Sequence, residues 1–365
     1  MPAIPLRRDQ PTAYLDASHL NAAYNAIEGR LSDRDLDAGH ALVRLIGEVA
    51  RDANLVLSCF HLVEFAQFVP PDGADNPTRG YLDRQCSWLE SLDHVFVRAS
   101  TALEAHEWRN LLLRLAGADH LAVEPFTASI VIAFGERWAP TDLADALQEG
   151  STINAVVDQL TRRQGERPER DFMLDSIRAL QEDRAQVHED GRSGELRGVL
   201  AAKHERGLLE TVCHTHAALV EEGHEGYLRG LASLTSLRAI LNPAEEVQER
   251  ALAVWREAPG ELRLFDLRRR FFRGLEDATT QTVAASRRAR ERYESSTFDL
   301  AHAQAGAHCD IFTCDRHFAR LTAGARESWG RKPAISGSLS AVVVELGVQY
   351  RCALNASAAC QEREG

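Results

Sequence analysis

Ser296-Thr297-Phe298-Asp299-Leu300-Ala301 and, shortly after it, Thr313-Cys314-Asp315-Arg316-His317-Phe318 are the two stretches of sequence that decide the fold. Asp299 opens a helix that we predict over residues 300–306, and the apolar run at 310–313 predicts a short strand. Asp315 follows this strand directly, where open α/β sheets place their ligands. Asp299 stands on the preceding helix and can face the same crevice. Two rigidly held carboxylates are half of a Mg²⁺ site, since Mg²⁺ binds oxygen ligands.

Two stretches near the N-terminus supply the other carboxylates of the predicted Mg²⁺ site. Residues 12–16 predict a short apolar strand that ends in an acid, Asp16. Residues 54–65 predict a strand, a helix cap at Ser58 and a helix that carries Glu64 about one and a half turns from its start. Because the carboxyl ends of parallel strands meet at one edge of a sheet, we expect the four acids to converge there.

This order of motifs resembles the PilT N-terminus (PIN) nuclease family. The shared pattern is strand-Asp, strand-Ser-x5-Glu, Asp-helix and then strand-Thr-x-Asp-x-x-Phe. The resemblance implies that four acids hold divalent metal for phosphodiester hydrolysis. Asp16 matches the first acid and Glu64 the second, while Asp299 and Asp315 match the third and fourth. Asp310 matches a further acidic position, outside the direct ligands.

The resemblance covers about residues 10–100 and 295–350 and leaves the long middle of the 365-residue chain unaccounted for. It implies an α/β fold with a PIN-like three-layer α/β/α core and a central parallel sheet. We therefore expect a discontinuous nuclease core, a large and mainly α-helical insertion, and a C-terminal tail. The core is predicted over 1–99 and 293–352, the insertion over 100–292, and the tail over 353–365.

Further strands are predicted at 94–98 and 339–346, the latter as the last strand of the sheet. Residues 125–133 are apolar and β-branched, which fits either a strand or a buried helix. A helix is predicted over 78–91.

Several polar residues lie close to the four acids in sequence. Thr313 is expected to hydrogen-bond a ligand or to orient a carboxylate, and Ser58 is expected chiefly to cap the helix of Glu64. Arginines accumulate before Asp299 with phenylalanines between them, which favours contact with phosphate. The candidate nucleic-acid-binding residues are Arg268, Arg269, Arg270, Arg287 and Arg288. A solvated helix face is the alternative interpretation of these arginines.

The net charge of −12 is not typical of a general nucleic-acid binder, so any RNA or DNA must meet a local basic patch. The seven cysteines follow no tight spacing pattern, which predicts reduced thiols in the cytoplasm. No apolar run is long enough to span a bilayer, and the N-terminus lacks a signal sequence. We expect a cytoplasmic protein without a membrane segment.

The functional expectation is a Mg²⁺- or Mn²⁺-dependent endonuclease. RNA is the substrate that the resemblance favours, since many PIN-like proteins cut RNA and some are toxins with an antitoxin partner protein. Single-stranded or structured DNA stays open as the substrate, because flap-type DNA nucleases share the fold. A catalytically inactive PIN-like binding module is a second alternative, and the acidic net charge favours it. A phosphotransferase of the haloacid-dehalogenase type would require a second acid where Ser18 stands.

Overall fold

The computed structural model describes residues 5–67, 77–98, 152–162 and 302–364, together with single positions or short runs within 103–133, within 253–270 and at residue 300. The helices are α1 (Ala17–Ile27), α2 (Asp33–Asp52), α3 (Cys59–Gln67), α4 (Pro77–Glu90), α5 (Ile153–Arg162), α6 (Arg316–Ser328) and α7 (Leu339–Glu364). The strands are β1 (Thr12–Tyr14), β2 (Asn54–Leu57), β3 (His94–Val97), β4 (Phe126–Thr127) and β5 (Ile311–Phe312).

The five strands form one sheet in the order β4-β3-β2-β1-β5. β1 pairs in parallel with β2 and with β5, and β2 pairs in parallel with β3. β4 is antiparallel to β3, so the sheet is mixed and not purely parallel as predicted. The chain moves outward from β1 to β3 and later returns to the other side of β1. The strand order therefore reverses between β1 and β5, which is where open α/β sheets form a ligand crevice.

Both faces of the sheet are covered, which explains why its parallel strands are apolar or aromatic after the polar first residues Thr12, Asn54 and His94. Ala13 and Leu55 point to the face covered by α1, α2, α3, α4, α5 and α7. Tyr14, Val56 and Phe312 alternate with them and point to the opposite face, which is covered by α6 and by residues within 264–267 and 300–307. The chain is thus an α/β protein with helical layers on either side of a mostly parallel sheet.

The predicted last strand at 339–346 is wrong, because these residues begin α7. The run of three valines favours a strand locally. However, Val342, Leu346 and Tyr350 are buried while Val344 is 67% exposed, and this spacing gives one apolar helix face. The backbone N–H of Ala341 donates to Ser338 Oγ at the start of the helix. The helix continues through the boundary at 352/353 that was predicted to begin a separate tail.

The sheet instead gains a short extension at Ile335. This residue forms a parallel bridge with Thr313, and its N–H donates to the carbonyl of Phe312 at 2.8 Å.

Parts of the segment predicted as an insertion pack within the core. β4 extends the sheet, and the buried side chains of α5 join the apolar cluster beneath α3 and α4. Leu264 and Leu267 pack against the opposite face. The remaining positions of 100–292 lie largely outside the described residues.

Within the part of the chain that the structure describes, no helix combines the length and apolar character needed to cross a membrane. Five cysteines are free thiols in the structure: Cys59, Cys86, Cys309, Cys314 and Cys352.

Candidate functional site

Asp16 lies at the carboxyl end of β1, where the chain turns into α1. Its backbone is extended, and its carboxylate caps the helix by accepting from the N–H of Ser18 at 3.1 Å. The side chain is largely buried, with the residue 8% exposed. A carboxylate held in this way has its direction fixed by the start of the helix.

Glu64 and His302 meet beside Asp16. Glu64 lies on α3, which follows β2, and His302 lies in the helical residues 302–306 that precede β5. Glu64 Oε2 and His302 Nε2 are 3.2 Å apart, with the side chains 26% and 4% exposed. One ligand atom from each of Asp16, Glu64 and His302 lies within 4.8 Å of the others. Of the four acids predicted to converge, Asp16 and Glu64 lie together at this edge of the sheet.

A hydrogen-bonded relay of buried side chains lies behind His302. The hydroxyl of Tyr14, on β1, makes a hydrogen bond with His302 Nδ1. The same hydroxyl lies 2.8 Å from Ser58 Oγ. Burial raises the pKa of Tyr14 well above its usual value, and the nearby charges of Asp16 and Glu64 act in the same direction. Tyr14 therefore stays a neutral phenol within this relay.

His61, on α3, forms the other end of the relay. Its Nδ1 accepts from the backbone N–H of Ser58 at 3.0 Å and lies 3.3 Å from Ser58 Oγ. Its Nε2 lies 2.6 Å from the carbonyl oxygen of Leu15. The ring packs at tilted angles against two others, with centroids 4.7 Å from Tyr14 and 4.9 Å from His302. Burial lowers the pKa of His61 well below its usual value, and proximity to His302 adds to this effect.

Thr313 connects the end of β5 to Asp16. Its hydroxyl accepts from the backbone N–H of Asp16 at 3.0 Å and lies 2.9 Å from His19 Nδ1. Burial lowers the pKa of His19, against the opposing effect of the Asp16 charge. Thr313 is completely buried, so it fixes the backbone from which the Asp16 carboxylate projects.

The other predicted acids have different positions. Asp315 is exposed at the carboxyl end of β5, and its Oδ1 caps α6 by accepting from the N–H of Phe318 at 2.6 Å. Asp310 lies at the opposite end of β5, where Oδ2 accepts from the N–H and the hydroxyl of Thr12, each at 2.9 Å. Asp310 also forms an ion pair with Arg331. Because Asp310 precedes β5, it lies at the amino-terminal edge of the sheet and not beside the site. Asp299 lies outside the described residues.

Arg270 is the one predicted nucleic-acid-binding arginine within the described residues. Its Nε donates to buried Asp266 at 2.9 Å, and its Nη2 donates to Ser328 at 3.2 Å. Ser328 ends α6, about 20 Å along the helix from Asp315. Arg270 therefore supports the end of α6 that is distant from the acids. The other four, Arg268, Arg269, Arg287 and Arg288, lie outside the described residues.

His302 is the site residue that sequence reasoning missed. It lies three residues after Asp299, a spacing that would place both on one face of the helix predicted there from the sequence. It is also the one ionisable side chain within 300–307, where the other residues are Gln304 and small or apolar residues, a signal that could have indicated it.

The donor set of the site suits a divalent cation. Two carboxylates and one imidazole converge at the strand-order reversal, and carboxylate oxygens suit Mg²⁺ and Mn²⁺. The imidazole adds a nitrogen ligand, which Mg²⁺ rarely accepts in proteins. The residues therefore fit a metal of this class, with Mn²⁺ fitting the whole set better than Mg²⁺.

The fold and the site together define an α/β protein with a carboxylate–histidine cluster at the carboxyl edge of its sheet. Comparisons of the chain with protein-family models, with curated proteins and with solved structures found no match.

Proposed function

We propose that this protein is a divalent-metal-dependent endonuclease with a PIN-like core that hydrolyses phosphodiester bonds, with RNA as its substrate. The observation that carries the proposal is the convergence of Asp16 and Glu64 with His302 at the strand-order reversal. The motif order along the sequence supports it further, since Asp315 stands after β5 at the same edge. Reduced cysteines are consistent with a cytoplasmic enzyme, and the family resemblance suggests an antitoxin-like partner protein.

In this proposal the side chains of the site hold the cation and position the phosphate. A divalent cation supplies a Lewis acid that ionises water near neutral pH and offsets the charge of the leaving oxygen. Asp16 and Glu64 would hold it with negative charge, and their positions at the start of α1 and within α3 keep them rigid. Asp315 is exposed at the same edge and would contact the cation or a water from the open side of the crevice.

The test is cleavage of labelled single-stranded and hairpin RNA, and of single-stranded DNA, by purified full-length protein. We expect cleavage of RNA with Mg²⁺ or Mn²⁺ and none with EDTA. Asp16→Asn and Glu64→Gln should each lower the rate at least about a hundredfold, the scale of losing a preorganised electrostatic contact. Asp315→Asn should lower it to a similar extent, because Asn keeps the helix cap but loses the charge.

Asp310→Asn is the matched control, since this carboxylate lies at the opposite end of β5. It should lower the rate less than about tenfold, with circular dichroism confirming that each variant is folded. Equal cleavage by wild type and Asp16→Asn would point to a contaminating nuclease and contradict the proposal. Folded wild type that cleaves neither RNA nor DNA would favour the binding-module alternative.

A further inference from the structure

At the His61 end of the relay behind His302, the direction of hydrogen-bond donation is fixed. The backbone N–H of Ser58 can only donate, so His61 Nδ1 accepts and carries no proton. The carbonyl of Leu15 can only accept, so His61 Nε2 carries the proton of the ring and donates it. His61 is therefore a neutral imidazole with one defined tautomer. The single lone pair of Nδ1 is already engaged by the N–H of Ser58, so Ser58 Oγ, at 3.3 Å, can only share it.

Two hydroxyls connect this fixed end to His302 and permit two directions of donation. In the first, Ser58 Oγ donates to His61 Nδ1, and the Tyr14 hydroxyl donates to Ser58 Oγ. His302 Nδ1–H then donates to Tyr14, and His302 Nε2 presents a lone pair toward Glu64. This arrangement uses every hydroxyl contact in the relay.

In the second direction, Ser58 Oγ donates to the Tyr14 hydroxyl, and Tyr14 donates to His302 Nδ1. His302 Nε2 then carries the proton, 3.2 Å from Glu64 Oε2. The two arrangements contain the same number of protons. They differ in the rotation of two O–H bonds and in the tautomer of His302, so heavy atoms need not move. A cation at Nε2 requires the first arrangement, because a metal-ligating nitrogen carries no proton.

We propose that His302 is a metal ligand through Nε2, and that Tyr14, Ser58 and His61 are positioning residues that hold its Nδ1–H. The site then takes a divalent first-row transition ion, with Mn²⁺ as the accessible probe, in preference to Mg²⁺. The proposal concerns the same site as the proposed function and rests on it. A second group that holds the far nitrogen of a ligating histidine fixes its tautomer and orientation, and here that group is Tyr14.

Burial strengthens this assignment. His302 is almost completely enclosed, and its ring faces Phe60 and His61 with centroids at 6.3 Å and 4.9 Å. Its orientation is therefore fixed by packing as well as by the relay. Imidazole nitrogen is a good ligand for first-row transition ions, whereas Mg²⁺ is bound through oxygen. The nitrogen in the donor set is thus the feature that separates the two classes of ion.

The experiment measures the metal directly and needs no nucleic acid. Chelator-treated full-length protein is titrated with MnCl₂ and, separately, with MgCl₂ by calorimetry. The bound Mn²⁺ is then examined by pulsed electron paramagnetic resonance for coupling to an imidazole nitrogen. We expect Mn²⁺ to bind at least about tenfold more tightly than Mg²⁺, and we expect nitrogen coupling in the wild-type complex.

His302→Gln should abolish the nitrogen coupling and weaken Mn²⁺ binding about 10- to 100-fold, while Mg²⁺ binding changes less than about threefold. His94→Gln is the matched control, since His94 is a buried histidine at the amino-terminal end of β3. It should leave the coupling intact.

Tyr14→Phe should weaken Mn²⁺ binding about tenfold with little change for Mg²⁺, a selectivity that a purely structural role would not produce. Tyr24→Phe, which removes a hydroxyl donated to Glu28 at 2.8 Å, should have no such effect.

The wild-type spectrum alone can overturn the proposal, even if a variant fails to fold. Bound Mn²⁺ without nitrogen coupling, or no Mn²⁺ binding at all, would exclude His302 as a ligand. The proposed nuclease function is judged separately: cleavage without nitrogen coupling would retain the function and reject the ligand. Coupling that depends on His302 without cleavage of any nucleic acid would retain the ligand and reject the function.

Discussion

Replacing Asp16 with Asn should make the metal-free protein more stable while it weakens the metal-bound protein. In the absence of metal, the carboxylates of Asp16 and Glu64 face each other within 4.8 Å. Asn removes one charge and almost no volume. It also keeps the helix cap to the N–H of Ser18, since Asn and Asp are equally good caps. The charge is therefore the one property of the side chain that changes.

The size of the effect follows from this separation. Two like charges about 5 Å apart repel by about 1 kcal/mol in water and by about 3 kcal/mol at an effective dielectric constant of 20. Glu64 is 26% exposed, so solvent screens the pair and the lower value applies. A gain of about 1 kcal/mol in a chain of this length corresponds to a rise of about 1–2 °C in the midpoint of thermal unfolding.

When Mn²⁺ is present, wild type should be more stable than Asp16→Asn, the reverse of the order expected in EDTA. Mn²⁺ at a hundred times its dissociation constant stabilises a protein by about 2.7 kcal/mol if it binds the folded state alone. Wild type should gain this stabilisation from Mn²⁺, whereas Asp16→Asn should be stabilised much less at the same Mn²⁺ concentration. The assay is thermal unfolding followed by circular dichroism, with each protein measured in EDTA and in MnCl₂.

Asp266→Asn provides the contrast, because this buried carboxylate accepts from Arg270 at 2.9 Å and from Trp329 at 3.1 Å. Loss of this charge should lower the midpoint of thermal unfolding both in EDTA and in MnCl₂. Repulsion between Asp16 and Glu64 would be refuted if Asp16→Asn melted below wild type in EDTA, and a shared cation site would be refuted if Mn²⁺ stabilised both proteins equally.

Two further predictions concern the packing that holds the His302 helix against β5. Arg326→Met should destabilise the protein by about 3–5 kcal/mol, because the buried guanidinium donates to backbone carbonyls of residues 306, 309, 310 and 332 that would lose a charged partner. Urea unfolding checks this, and the exposed Arg320→Met on the same helix should change stability by less than about 0.5 kcal/mol. Gly306→Ala should cost about 1–3 kcal/mol, since a Cβ there would lie 2.3 Å from the ring of Phe312. Gly47→Ala in α2, where a Cβ meets open space, should instead stabilise by up to about 1 kcal/mol, and equal effects of the two glycine variants would contradict the packing argument.

Much of the fold could be predicted from the sequence because its signals are local. The apolar runs before Asp16 and Ser58 predicted β1 and β2, and the structure has strands at both places. The prediction of a helix over 78–91 agrees closely with α4. An acid directly after an apolar strand and at the start of a helix is also local information, which explains why Asp16 could be recognised as a site residue.

The errors arose where local preference and tertiary packing differ. Three successive valines favour a strand, but the helical spacing of Val342, Leu346 and Tyr350 lets α7 bury one face against the core. The burial of a complete apolar face outweighs a modest local preference. The antiparallel pairing of β4 with β3 likewise depends on where the chain returns to the sheet, which no local pattern specifies.

The sequence by itself determined that acids follow the strands, and therefore that carboxylates gather at one edge of a parallel sheet. Only the tertiary structure decided that His302 joins Asp16 and Glu64, and that Tyr14 holds its far nitrogen. Tyr14 and His302 are 288 positions apart, so their hydrogen bond exists only after β5 has paired with β1. The physical reason is that a strand-end acid is placed by its own backbone, whereas a histidine on a helix becomes a ligand only through the neighbours that packing brings to it.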